Sequence, residues 1–178
     1  MEKPVQITML GKFTIYGDGL ARPRLVSLTG RSRRLWILVV YLILNRERGV
    51  PAQELIDWLW PEATGINPVS TLQNNISRAR NALEELGLRD GKKLICNRSG
   101  TYYWAPNTET VLDCEQFRTA LRACLDEVGN IKDEVLAARA IGMYSDDFLP
   151  ECATDSGCVN TNAYYHASYL QLCRKMTA

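Results

Sequence analysis

Apolar and polar residues alternate through the start of the chain. Val5, Ile7 and Met9 fall on one side and Gln6 and Thr8 on the other; after Gly11-Lys12 the alternation resumes at Phe13 and Ile15. A period of two marks strands with one buried face, and Gly11-Lys12 and Gly17-Asp18-Gly19 supply turns between them. Val26 and Leu28 predict a third short strand. Such an antiparallel sheet needs a helix to cover it. The apolar run from Leu35 to Leu44 predicts that helix over residues 31–46. The run is about half of the roughly 20 apolar residues a membrane span requires, so a buried core helix explains it better. Gly49 ends this helix, and Pro51 suits the first turn of a second one over 52–60. Leu55, Ile56 and Leu59 form its inner side, with Trp58 and Trp60 as core. Pro61 stops it, residues 62–67 with Gly65 read as a loop, and Pro68 opens a third helix over 68–87.

The third helix carries an apolar stripe of Leu72, Ile76, Ala79, Leu83 and Leu86. Its other side offers Ser70, Thr71, Gln73, Asn74, Ser77, Arg78 and Asn81. Hydroxyl, amide and guanidinium groups of this kind pair with base edges and phosphates. Asn74, Arg78 and Asn81 project from one side; Asn can bridge adenine, and Arg can bridge guanine or hold a phosphate. Arg80 lies nearer the flank and is expected on backbone phosphate. After a short basic linker, residues 93–104 read as two strands around Asn97-Arg98-Ser99-Gly100, with Arg98 at the tip. Helix, helix, loop, helix, hairpin is the order of a winged helix-turn-helix. In that fold the third helix enters the major groove and the wing reaches the adjacent backbone or minor groove. The candidate DNA-binding set is Ser70, Thr71, Asn74, Ser77, Arg78, Arg80, Asn81 and Arg98.

The pattern changes at Pro106. Asp113 opens a helix with Gln116 as a capping-box partner, and Phe117, Leu121, Cys124 or Leu125, and Val128 form its stripe. Gly129-Asn130 breaks it. A second helix is expected over 132–144 with Val135, Leu136, Ile141 and Met143 as core, close to one tetratricopeptide-sized pair. Residues 145–160 read as a polar loop. A last helix over 161–176 carries Tyr164, Tyr165, Tyr169, Leu170 and Leu172. The expected organisation is a winged-helix DNA-binding domain over 1–106 and a truncated TPR-like segment over 107–178. The fold class is therefore an α+β winged helix-turn-helix with an N-terminal antiparallel sheet, followed by an all-α TPR-like helical segment.

Charge supports the same division. The chain's net charge of +1 conceals 15 basic and 9 acidic residues before Pro106, a net of +6, and 6 basic and 11 acidic residues from there on, a net of −5. The first part suits a polyanion and the second does not. Arg31, Arg33 and Arg34 crowd the start of the first helix, where acidic groups are favoured. Nearby phosphates would relieve that conflict, and plain solvent exposure is the other reading.

Other chemistries find little footing. The six cysteines form no C-x-x-C pair and His166 is the only histidine, so neither a zinc site nor any other metal or cofactor is expected. No signal peptide precedes the first strand pattern, so a cytoplasmic location with reduced, mostly buried thiols is expected; Cys152 and Cys158 are near enough in sequence for a redox pair. No Ser/His/Asp set and no phosphate-cradling glycine loop is present, so no catalytic residue is assigned and the chain is not read as an enzyme.

Leu10-Gly11-Lys12-Phe13, Gly17-Asp18-Gly19 and Leu55-Ile56-Asp57-Trp58-Leu59-Trp60-Pro61 resemble the SARP-type transcriptional regulators. Gly100-Thr101-Tyr102 matches their wing, and Asp113 with Phe117 and Tyr144-Ser145-Asp146-Asp147-Phe148-Leu149-Pro150 resembles the opening of their bacterial transcriptional activator domain. The resemblance implies an OmpR-like winged helix that binds double-stranded promoter DNA and a helical domain that helps recruit RNA polymerase. It places Asn74, Arg78 and Arg80 on the recognition helix and Arg98 in the wing. The sequence departs at Ala79, where a larger Leu is usual, at Asn81, where a basic residue is common, and at Asp146, where Gly is typical. The resemblance also implies that the activator domain stops early and that a receiver domain has no room. The last helix would then lack a stacking partner and be partly exposed or self-associating. A protein-interaction adapter, docking through the helical module and the winged helix, is the alternative.

Overall fold

The computed structural model describes residues 3–62 and 67–177; for Ser156 it describes the backbone only. Gly65 and most of the expected 62–67 loop lie outside the described residues. In chain order the elements are β1 (Val5–Thr8), β2 (Thr14–Tyr16), β3 (Arg24–Leu25), α1 (Arg33–Leu44), β4 (Val50–Pro51), α2 (Ala52–Leu59), α3 (Pro68–Glu85), β5 (Ile95–Arg98), β6 (Thr101–Trp104), β7 (Thr110–Leu112), α4 (Asp113–Cys124), α5 (Glu134–Met143) and α6 (Ser156–Met176). They form two compact units. The first joins Met1–Val5 with Tyr16–Thr110, and the second joins Gln6–Ile15 with Val111–Ala178.

α1 is the core helix of the first unit. Every residue from Leu35 to Val40, with Leu42 and Ile43, is buried, so the helix is apolar nearly all round. It begins two residues later than expected because Gly30–Ser32 forms a 3-10 turn. α2 and α3 both pack on it. Beyond the end of α1, Arg48 donates from Nη1 to Glu54 Oε2 on α2 at 2.9 Å, and Tyr41 donates to Glu54 Oε1 at 2.8 Å. Those two hydrogen bonds hold the Glu54 carboxyl well below its ordinary value, at about 2. Trp58 stacks on Tyr41 with centroids 4.3 Å apart, while Trp60 is buried. The chain leaves α1 through Gly49 at φ +68°, where a Cβ would meet the Tyr103 ring at 2.4 Å. Glycine is the residue that accepts both the left-handed backbone and the close ring. β4, β6 and β5 form a small antiparallel sheet in that order.

The second unit gathers most of β1 and β2 with the C-terminal helices. β1 lies between β2 and β7. Burial alternates along β1, as its sequence alternates. The covering helix expected at 31–46 belongs to the other unit, and residues 6–15 group instead with residues 111–178. Asp113 explains much of this. Its carboxylate accepts from the backbone N–H of Met9 at 2.7 Å and of Leu10 at 3.0 Å. It is thus the first residue of α4, turned toward the strand. The bond expected for it within the helix goes instead to the next residue, Cys114 N–H. Leu149 N–H donates to Met9 O at 2.8 Å and Gly11 N–H to Asp147 O at 3.0 Å, fixing residues 145–150 along the same strand end.

Several expectations in this region change. The third N-terminal strand is Arg24–Leu25; Val26 and Leu28 are buried without strand geometry. β7 is an element that the sequence pattern does not predict. Val128 is 85% exposed because α4 ends at Cys124 and Asp126 caps a tight turn by accepting from Val128 and Asn130 N–H. Val135 is 80% exposed, and the buried side of α5 is Ala137 and Ala140. Small side chains there let α5 approach α4 closely. The supposed polar loop contains buried Phe148 and Leu149 and a 3-10 turn at Pro150–Cys152, and α6 starts at Ser156 instead of 161. Phe117, Phe148 and Tyr165 form the aromatic centre of this unit, with Tyr165 5.9 Å from Phe117 and 5.6 Å from Phe148. Tyr164 and Leu170 remain exposed at 45% and 37%. The left-handed residue in the 146–150 segment is Leu149, at φ +44°, so Asp146 needs no glycine-like backbone.

Candidate nucleic-acid interface

α3 is set by its own ends. Asn67 caps it by accepting from Ser70 N–H at 3.2 Å, and Pro68 fills the first turn. Leu72, Ile76, Ala79 and Leu83 are buried and face α1 and α2. Ala79 has no exposed surface at all, so helix packing here is close. At about 100° per residue, positions 70, 74, 77, 78 and 81 fall on the side opposite that stripe. The structure agrees: Ser70, Gln73, Asn74, Ser77, Arg78 and Asn81 are exposed.

The two flanks of this exposed face differ. On one flank Arg80 is half-buried, and its Nε–H donates to Ile95 O on β5 at 2.9 Å. This is a link between helix and hairpin, so the residue expected on phosphate has at least one fixed structural duty. On the other flank the Thr71 hydroxyl donates to Asn67 O at 2.9 Å, and Asn75 donates from Nδ2 to Thr71 O at 2.9 Å. Thr71 is therefore engaged with its own helix. Asn75 is absent from the sequence-derived set; its spacing of four from Thr71 was the available signal. Past the C-terminus of α3, Gly91 sits so close that a Cβ would lie 2.5 Å from Glu84 N, which presses the linker onto the helix. Lys92 pairs with Glu84, and Lys93 with Asp90 at 2.7 Å, so the basic linker is largely neutralised locally.

The hairpin turns at Ser99 and Gly100, both at positive φ (+50° and +83°), the geometry of a tight type I′ connection. Asn97 Oδ1 accepts from Gly100 N–H at 3.2 Å and stiffens the tip. Register runs Ile95 to Trp104 and Arg98 to Thr101, and β6 is paired on its other edge by β4. Arg98 is exposed, with its guanidinium 5.6 Å above the Tyr103 ring. Tyr102 and Trp104 are buried beneath. A rigid helix with an exposed amide, hydroxyl and guanidinium face thus stands beside a short ribbon tipped by a cation. Among the described residues no group of three or more His, Cys, Asp or Glu side chains could hold a metal ion, and no helix is long and apolar enough to cross a membrane.

A solved structure of Mycobacterium tuberculosis EmbR in complex with a low affinity phosphopeptide matches this chain with a TM-score of 0.61 at 18% identity. The fold is EmbR-like. The match covers 98% of this chain and 47% of that one, so the chain spans about half the length of its structural neighbour. At this identity the likeness is one of fold. No protein-family model matches the sequence, and no curated protein matches it.

Proposed function

We propose that this chain is a sequence-specific, DNA-binding transcriptional regulator of the SARP type. In this reading the first unit is an OmpR-like winged helix; α3 enters the major groove and the β5–β6 hairpin contacts the backbone or minor groove. The observation that carries it is the exposed row Asn74, Ser77, Arg78 and Asn81 on a helix whose other side is buried, next to Arg98 on a stiff hairpin. Asn74 and Arg78 are assigned to base edges, Ser70, Ser77 and Asn81 to bases or phosphate, and Arg98 to the backbone. Thr71 and Arg80 act chiefly by holding the helix, given their main-chain bonds. The helices of the second unit, α4 to α6, are the opening of a TPR-like activator domain that contacts RNA polymerase or a second copy. The protein acts in the cytoplasm.

Selection of bound duplexes from a random pool tests the reading. A shared sequence should emerge, and affinity should fall steeply with salt. Asn74→Ala should lower the preference for the selected duplex over a mixed-sequence one by about 1–3 kcal/mol, the worth of one bidentate base contact. Arg78→Ala should weaken binding by a similar amount. If no duplex is enriched while a pulldown captures a protein partner whose binding survives both changes, the chain is an adapter.

A further inference from the structure

We propose that the cleft between the start of α1 and the flank of α3 seats a DNA backbone phosphate, giving the exposed face of α3 a backbone contact on the side away from the hairpin. This inference rests on the DNA-binding reading above. Arg31, Arg33 and Arg34 reach the cleft from the α1 side, and Thr71, Asn75 and Arg78 reach it from α3, around an open volume of about 430 Å³. Among the described residues none of those lining it is acidic. Arg31, Arg34 and Arg78 therefore meet at one concavity whose described lining carries no carboxylate, a potential that favours an anion.

Position decides which anion. Arg78 belongs both to the cleft and to the exposed row with Asn74 and Ser77, so the cleft opens at the edge of that row. The hairpin borders the opposite edge, through Arg80 and Ile95. A helix lying in a major groove about 12 Å wide has a phosphate chain on each side. Arg98 then meets one chain and the arginine cleft meets the other. Asn75 and Thr71 are held by main-chain bonds along α3, which gives the cleft a fixed floor. Bidentate guanidinium–phosphate pairing explains why the lining is arginine and not lysine.

The test uses the full chain, the duplex recovered by selection and a mixed-sequence duplex, each titrated across salt. Arg31 and Arg34 are exposed, so the double change R31Q/R34Q should leave the thermal melting curve in place. It should weaken both duplexes by the same factor, about tenfold or more, and flatten the slope of log affinity against log salt by about 0.9, the value for one lost phosphate contact. R31K/R34K keeps the charge and should keep the slope. The inference is overturned if the wild type binds and the glutamine pair leaves slope and affinity unchanged, or if the lysine pair flattens the slope as much as the glutamine pair. A wild type that binds neither duplex removes the DNA-binding reading itself, and the cleft with it.

Discussion

The carboxylate of Asp113 is the most consequential single group outside the candidate interface. Burial raises its pKa, against the downward pull of the backbone N–H groups of Leu10 and Met9 that it accepts from. Both of those residues are buried. Asp113→Ala leaves the two donors without this acceptor, at about 1–3 kcal/mol for each buried unpaired group. The expected loss of unfolding free energy is therefore about 2–6 kcal/mol, read as a shift of the urea midpoint. Asp113→Asn retains one acceptor oxygen and should lose about half as much; a pair of variants with wild-type midpoints would remove the residue from this role. From sequence Asp113 reads as an N-cap with Gln116 because capping is a local pattern. Its partners lie at the other end of the chain, and no spacing rule reaches them.

Elements whose signals are local were the legible ones. α3 announces itself by Asn67-Pro68, a stripe at 72, 76, 79 and 83, and length enough for the period to repeat. The β5–β6 hairpin is legible in Asn97-Arg98-Ser99-Gly100. β7 is three residues long and comes after the turn residues Pro106-Asn107, so it leaves almost no pattern. α6 begins in Ser156-Gly157-Cys158, a poor helix-forming stretch carried by the longer run of helix on its C-terminal side. On α3 itself, the exposed row comes from periodicity, while the duty of Arg80 does not, because it depends on where β5 lies. That difference is measurable. Arg80→Ala should cost about 1 kcal/mol of stability through the lost bond to Ile95 O and leave the salt slope of duplex binding unchanged. A slope lower by about 0.9 would make Arg80 a phosphate contact after all.

For the molecule as a whole, the charge division from sequence runs parallel to the units of the fold with one exchange: Gln6–Ile15 group with Val111–Ala178. A chain ending at residue 106 lacks β7, which flanks β1, and Asp113, which holds Met9 and Leu10. β1 would then present an open edge with buried-type side chains, a recognised cause of aggregation. We expect the 1–106 product to be recovered aggregated or with a markedly lower melting temperature than the full chain; a soluble, cooperatively melting 1–106 monomer would contradict this. The same interleaving limits how such proteins can be recombined. Grafting a foreign N-terminal unit onto this C-terminal half by a single crossover near Pro106 would carry away ten residues that the recipient half needs, so a viable chimera must be spliced at three joints and keep Gln6–Ile15 with its own C-terminal helices.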